Sequence, residues 1–182
     1  MSAAPGLAFD LQPKLTGELL ELRPLRRSDF DAVFAAASDP LIWEQHPESD
    51  RWKQDVFQRY FDGAMESGGA FAILDRATGR IIGSSRYCAL NPQDSEVEIG
   101  WTFLERAYWG GRYNGELKRL MLQHAFNFVR RVVFVVGKGN LRSQRALEKT
   151  GARVLREEEA RFPDGRPRTN ILFVVERPTA SA

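Results

Sequence analysis

Cysteine occurs once in these 182 residues, at Cys88, so no internal disulfide can staple the fold. Histidine occurs twice, at His46 and His124, and with one thiol that leaves too few soft ligands for a structural zinc site. Long apolar runs are missing too: stretches such as Val132–Val136 are far too short to span a bilayer, and the opening MSAAPGLAFDLQPK has neither a basic nor an apolar leader region. These absences exclude a membrane-embedded chain and point to a reducing, cytoplasmic setting. Charge of one sign is also lacking. With 26 Lys and Arg against 24 Asp and Glu, the net of +2 argues for neither a nucleic acid nor a membrane partner. What remains, 43% hydrophobic and 27% charged residues, is the composition of one globular domain able to bury a sizeable core.

Charge is unevenly distributed along the chain. Between Arg106 and Arg153 there are eleven Lys or Arg against only Glu116 and Glu148, whereas Ser38–Gly68 holds seven acids against Arg51, Lys53 and Arg59. The basic stretch suits a polyphosphate ligand or a solvated helix face. The acidic stretch suits a cation, if its carboxylates line a cleft.

Apolar periodicity sets out the elements. Leu19–Leu25 reads as a strand, followed by a helix that Ser28-Asp29 would cap ahead of Phe30, Val33 and Phe34. A second helix over Asp50–Glu66 repeats Val56, Phe57, Tyr60, Phe61 and Met65 at three- and four-residue spacings. The period then drops to two. Ala70–Asp75, Arg80–Leu90 and Glu96–Leu104 form a meander, with Ala77-Thr78-Gly79 as a hairpin turn and Gly100 marking a bulge or a close approach. A helix from Gly115 to Val129, a buried strand at Val132–Val136 and a helix over Leu141–Thr150 follow, the last between Asn140 and Gly151. Two strands, Arg153–Phe162 and Arg168–Arg177, turn at Pro163-Asp164-Gly165. The order predicts an α/β fold of α+β type, a mixed sheet whose antiparallel meander feeds a parallel β-α-β step.

Three strings carry a resemblance. Glu98-Ile-Gly-Trp-Thr-Phe-Leu104, the glycine turn Arg106-Ala-Tyr-Trp-Gly-Gly-Arg-Tyr-Asn-Gly-Glu116, and Asn140-Leu-Arg-Ser143 followed by Leu147–Ala152 together resemble the GNAT superfamily of acyl-CoA-dependent N-acetyltransferases, closest to its RimJ/RimL-type branch. The resemblance implies a domain over residues 11–177 between frayed tails 1–10 and 178–182, with acetyl-CoA as cosubstrate and no metal. It implies direct attack by a primary amine, a peptide or protein N-terminus or a small cationic amine, on the thioester. Trp101, Thr102, Phe103 and Leu104 would lend backbone groups to pantetheine and to the developing oxyanion. Trp109, Gly110, Gly111, Arg112, Tyr113, Asn114 and Gly115 would cradle the pyrophosphate at a helix start, where free N–H groups meet the positive end of the dipole. Three positions depart from the family pattern there: Trp109 in place of Gln or Arg, Arg112 in place of Gly, and Asn114 in place of Gly or Ala. Asn140 would meet the pantetheine arm and Ser143 the sulfur. Leu147 stands where many members carry a tyrosyl acid.

Glu98 is the candidate base, with Glu96 as substitute on the same strand face. Trp43, His46 and Trp52 are the candidate acceptor walls. Cys88 and His124 read as packing residues. A CoA-binding sensor without turnover is the main rival, and a nucleic-acid module is a weaker one because Phe126, Phe128 and Phe134 lie at core spacing. Nothing in the sequence excludes a homodimer.

Overall fold

The computed structural model describes residues 8–162 and 164–179. The strands β1 (Leu15–Thr16), β2 (Leu20–Pro24), β3 (Ala70–Asp75), β4 (Ile81–Asn91), β5 (Glu96–Leu104), β6 (Arg131–Gly137), β7 (Arg153–Arg161) and β8 (Pro167–Glu176) form one sheet in the order β1-β2-β3-β4-β5-β6-β8-β7. Every neighbouring pair is antiparallel except β5 with β6. Helices α1 (Phe30–Ala37), α2 (Gln54–Glu66), α3 (Arg112–Ala125) and α4 (Leu141–Glu148) complete the predicted order, and the two-residue β1 is an addition.

Two-residue alternation divides the core between the faces of the sheet. On β3, Ala70 and Ala72 join Val33, Phe57, Tyr60 and Phe61 of α1 and α2, while Phe71 and Ile73 join Leu117, Met121 and Ala125 of α3. Small side chains on one face let α1 and α2 seat their aromatics close to the sheet. Phe9 packs edge-on against Tyr87 and Phe128, so packing already includes a residue placed by the sequence in a frayed tail, while residues 1–7 of that tail lie outside the described part.

The Asp29 cap differs from expectation. A single 3-10 turn at Arg27–Asp29 precedes α1, and the Asp29 carboxylate turns back to accept two hydrogen bonds from Arg23 at 2.8 Å and one from the Arg26 N–H. Burial would raise its pKa, but Arg23 and the Arg26 N–H outweigh burial and hold it below the usual carboxylate range.

Candidate active site

The parallel step opens the site. β5 and β6 pair only at Glu96↔Arg131, Val97↔Val132 and Glu98↔Val133, and beyond Glu98 the β6-facing backbone of β5 has no strand partner. On its other side β5 carries one extra residue between Gly100, opposite Arg86, and Phe103, opposite Ser84. The bulge expected at Gly100 therefore falls one residue later, at Trp101, whose φ is +51°. The Tyr60 hydroxyl of α2 donates to the Trp101 carbonyl at 2.7 Å and fixes this turn of the chain.

Between the diverging strands lies a cleft of about 300 Å³, walled by Ile99–Thr102 of β5 and Phe134–Gly137 of β6. It shares Trp43, His46, Thr102, Asn114, Asn140 and Ser143 with a second hollow of about 190 Å³ that runs on to Leu104, Trp109 and Gly110. The two form one channel from β8 to the start of α3. There Gly110 adopts φ +69°, a conformation that suits glycine, and no side chain caps the helix at Gly111. Its first N–H groups are thus free for an anion.

Most of the predicted cofactor residues meet in this channel. Trp101, Thr102, Phe103, Leu104, Trp109, Gly110, Asn114, Asn140 and Ser143 line it; Gly111, Arg112, Tyr113 and Gly115 do not. The reason is that α3 begins at Arg112 rather than Gly115, which turns Asn114 inward and Arg112 outward to an exposed ion pair with Glu18 at 2.9 Å. Tyr113 packs edge-on against Tyr108. Asn140 caps α4 by accepting from the Ser143 N–H at 3.2 Å, and the Ser143 side chain lines both parts of the channel. Arg142 stacks 4.0 Å over the Trp109 ring and donates to the Ile42 carbonyl at 2.6 Å, clamping α4 to the opposite wall.

Glu98 lines the cleft, and burial raises its pKa, with Glu158 adding to the effect. Glu96 is tied to Arg131 at 2.6 Å and lines neither hollow, which removes it as the substitute. Trp43 is buried in the wall, its indole N–H on the Ala37 carbonyl at 2.8 Å. His46 joins it, and burial together with nearby Arg51 lowers its pKa to about 3, so the imidazole stays neutral at physiological pH. Trp52 lines neither hollow and is half-exposed beside Lys53. Burial pushes the Cys88 thiol up to about 12, as befits a packing residue.

Of the seven acids between Ser38 and Gly68, only Glu48 lines the cleft, and Arg51 already pairs with it. Asp39 pairs with Arg106 and Glu44 with Arg142. The acidic acceptor half inferred from sequence therefore does not form as a cleft lining. Seven of the eleven cations of the basic segment, Arg106, Arg112, Arg119, Arg131, Lys138, Arg142 and Arg153, likewise end in ion pairs.

Sequence reasoning missed three groups in the cleft. Lys118 of α3 is buried, its Nζ 3.1 Å from the Thr102 hydroxyl and 5.0 Å from the Phe134 ring centre, and burial pulls its pKa down to about 7. Arg168 and Asn170 enter from β8. Their only sequence signal is two-residue spacing on one strand, which does not reveal what that face meets.

A family model described as an acetyltransferase (GNAT) domain matches residues 20–153. The chain belongs to the GNAT acetyltransferases. A search of curated proteins finds no match. Among solved structures, this GNAT chain is similar to a GCN5-related N-acetyltransferase from Brucella melitensis, with 24% identity, 94% of this chain and 80% of that one covered, and a TM-score of 0.81. A protein from T. thermophilus described as an acetyltransferase shares 29% identity over 97% of this chain and 92% of its own, with a TM-score of 0.74. Mycobacterium smegmatis RimJ, solved in complex with CoA-disulfide, shares 19% identity over 86% and 81% at a TM-score of 0.68, a likeness of fold. Among the described residues no helix is long and apolar enough to cross a membrane, and no group of three or more His, Cys, Asp or Glu is placed to hold a metal ion.

Proposed function

We propose that the cleft binds acetyl-CoA and transfers its acetyl group directly to a primary amine, in the manner of the RimJ/RimL-type branch. The observation that carries this reading is the splay itself. A strand whose backbone loses its partner beside Glu98, in a channel that ends at an uncapped helix start, suits a long polar arm with a terminal diphosphate. The residues fit that ligand. The β6-facing backbone of β5 beyond Glu98 pairs with the arm, Asn140 and Ser143 border it, and Gly110 admits phosphate oxygens close to the main chain. The likeness in fold to a structure holding a CoA disulfide supports the assignment.

Chemistry then divides among the chain's own groups. Glu98, poised by burial, takes a proton from the substrate ammonium, directly or through water, and the free amine then attacks the thioester carbon. The free N–H groups of the β5 bulge face the developing oxyanion. The Ser143 hydroxyl stabilises the departing thiolate, which at a free pKa of about 8.5 needs only modest help. Cys88 stays a thiol at working pH, and His46, whose Nδ1 accepts from the Glu48 N–H, is too weak a base to compete for the proton. A thermal-shift comparison tests the assignment: acetyl-CoA and CoA should raise Tm and a short RNA should not. Stabilisation by RNA alone would contradict it, and stabilisation by acetyl-CoA with no thiol release on any amine would favour a sensor.

A further inference from the structure

The charged groups of the 300 Å³ cleft do not balance at random. Its lining includes Glu48, Arg51, Glu98, Lys118 and Arg168. Glu48 and Arg51 pair with each other. Glu98, Lys118 and Arg168 each lack an ion-pair partner among the described residues; Lys118 donates to the Thr102 hydroxyl instead, which leaves Glu98 and the Arg168 guanidinium as the groups open to a ligand.

Arg168 is incompletely satisfied. Its Nε is buried without a hydrogen-bond partner, and its nearest aromatic company is the Phe162 ring at 5.5 Å. Two residues along β8, on the same strand face, Asn170 is only 5% exposed, yet its side-chain amide finds no partner among the described residues and borders the cleft. A buried polar group left without a partner costs about 1–3 kcal/mol, so the Arg168 Nε implies a ligand that satisfies it, and the Asn170 amide beside it faces the same space. The ligand must bring an acceptor, because a guanidinium donates and cannot accept, and the unpaired positive charge favours an anion over a neutral carbonyl. It is not the CoA diphosphate. Gly110 and Trp109 line only the far hollow, while Arg168 and Asn170 line only the near one.

We infer that Arg168 and Asn170 form a carboxylate-binding subsite and that the acceptor is an amine carrying its own carboxylate, as in an amino acid or an acidic peptide. This rests on the proposed acetyl transfer. The amine lies toward Glu98, the carboxylate lies across the cleft on the guanidinium fork, and the Asn170 amide donates a further hydrogen bond. The two contacts fix the amine's orientation toward the thioester. A polyamine offers Arg168 no acceptor and leaves its buried Nε unpaired.

The test uses matched acceptor pairs that differ only in the carboxylate: alanine against alaninamide, and Ala-Asp-amide against Ala-Asn-amide, with spermidine as a cationic control. Thiol release and N-acetyl product are followed with acetyl-CoA saturating. The carboxylate member of at least one pair should show kcat/KM about 10- to 100-fold higher, the range for one charge-assisted hydrogen bond. Which pair responds tells a free amino acid from a peptide. Arg168→Gln should collapse the difference through KM, and Arg168→Lys should restore part of it. Equal rates within both pairs, or preference for spermidine, would overturn the subsite. Calorimetry with N-acetylalanine and N-acetyl-Ala-Asp-amide in the presence of CoA supplies a readout independent of turnover. If no amine releases thiol but Arg168→Gln abolishes this binding, the subsite stands and the acetyl-transfer reading falls; if the N-acetyl ligands bind equally to wild type and Arg168→Gln, the subsite falls.

Discussion

Glu98 is the residue on which the proposed turnover depends. Because burial raises its pKa, the acidic limb of kcat/KM should lie above the ordinary carboxylate range, where protonated Glu98 cannot accept a proton. Glu98→Gln should lower kcat by about 100-fold or more and erase that limb; a pH profile of thiol release checks both. Lys118 makes a different prediction, one about stability. Its folded pKa of about 7 lies below the roughly 10.4 of an unfolded lysine, so between those values the unfolded chain binds the extra proton. Stability should therefore rise as pH climbs from about 7 to about 10, and Lys118→Met should flatten that rise and add about 2 kcal/mol at pH 7. Urea melts at several pH values decide it. The sequence showed Lys118 only as one cation of a basic segment. Burial of a single member depends on how α3 lies over β5 and β6, which is tertiary information.

At the scale of elements, Glu116 ties α3 to the first hairpin. Its carboxylate accepts from the backbone N–H groups of Glu18, Leu19 and Leu20 at 2.7–2.8 Å, and these bonds outweigh burial to hold its pKa low. Glu116→Gln, which exchanges an acceptor for a donor, should cost about 1–3 kcal/mol in urea melts. Wild-type stability from this group is present above its unfolded pKa and is lost as pH falls through the lower folded value. The glycine turn at the other side of α3's start, the proposed diphosphate site, depends on Gly110. Its φ of +69° strains any side chain, so Gly110→Val should cost about 1–2 kcal/mol as well as weaken acetyl-CoA binding. Gly111 has a negative φ of −121° and no close neighbour for a Cβ beyond the Trp109 carbonyl at 3.9 Å, so Gly111→Ala leaves the fold unstrained and is the matched control in the same calorimetric titration. Element order was legible because periods of two and 3.6 are local. The start of α3 was not: Gly110-Gly111 and Gly115 both look like helix boundaries, and the wrong choice turned Arg112 inward. Trp52 was misplaced for the same kind of reason: the sequence reading started the second helix at Asp50, whereas α2 begins at Gln54, so Trp52 lies ahead of it and is not oriented by its period.

For the whole molecule, the sheet order sets up the proposed site. The parallel pairing of β5 with β6 ends at Glu98↔Val133 and leaves main-chain groups free in the middle of a packed domain, and the antiparallel β6–β8 pairing brings Arg168 and Asn170 to the same gap. The strings that resembled the GNAT family marked the near wall, the helix turn and the start of α4, each contiguous in sequence. The far wall comes from β8, more than sixty positions beyond Glu98, and no local pattern links the two. The central claim is that this gap holds acetyl-CoA and delivers its acetyl group to an amine. The most direct measurement is mass spectrometry of product with thiol release, using acetyl-CoA and the amine panel on wild type and Glu98→Gln. N-acetylated amine formed one-for-one with free CoA, and strongly depressed in the variant, is the predicted result. Thiol release without any N-acetyl product, or equal product from both proteins across pH, would contradict it.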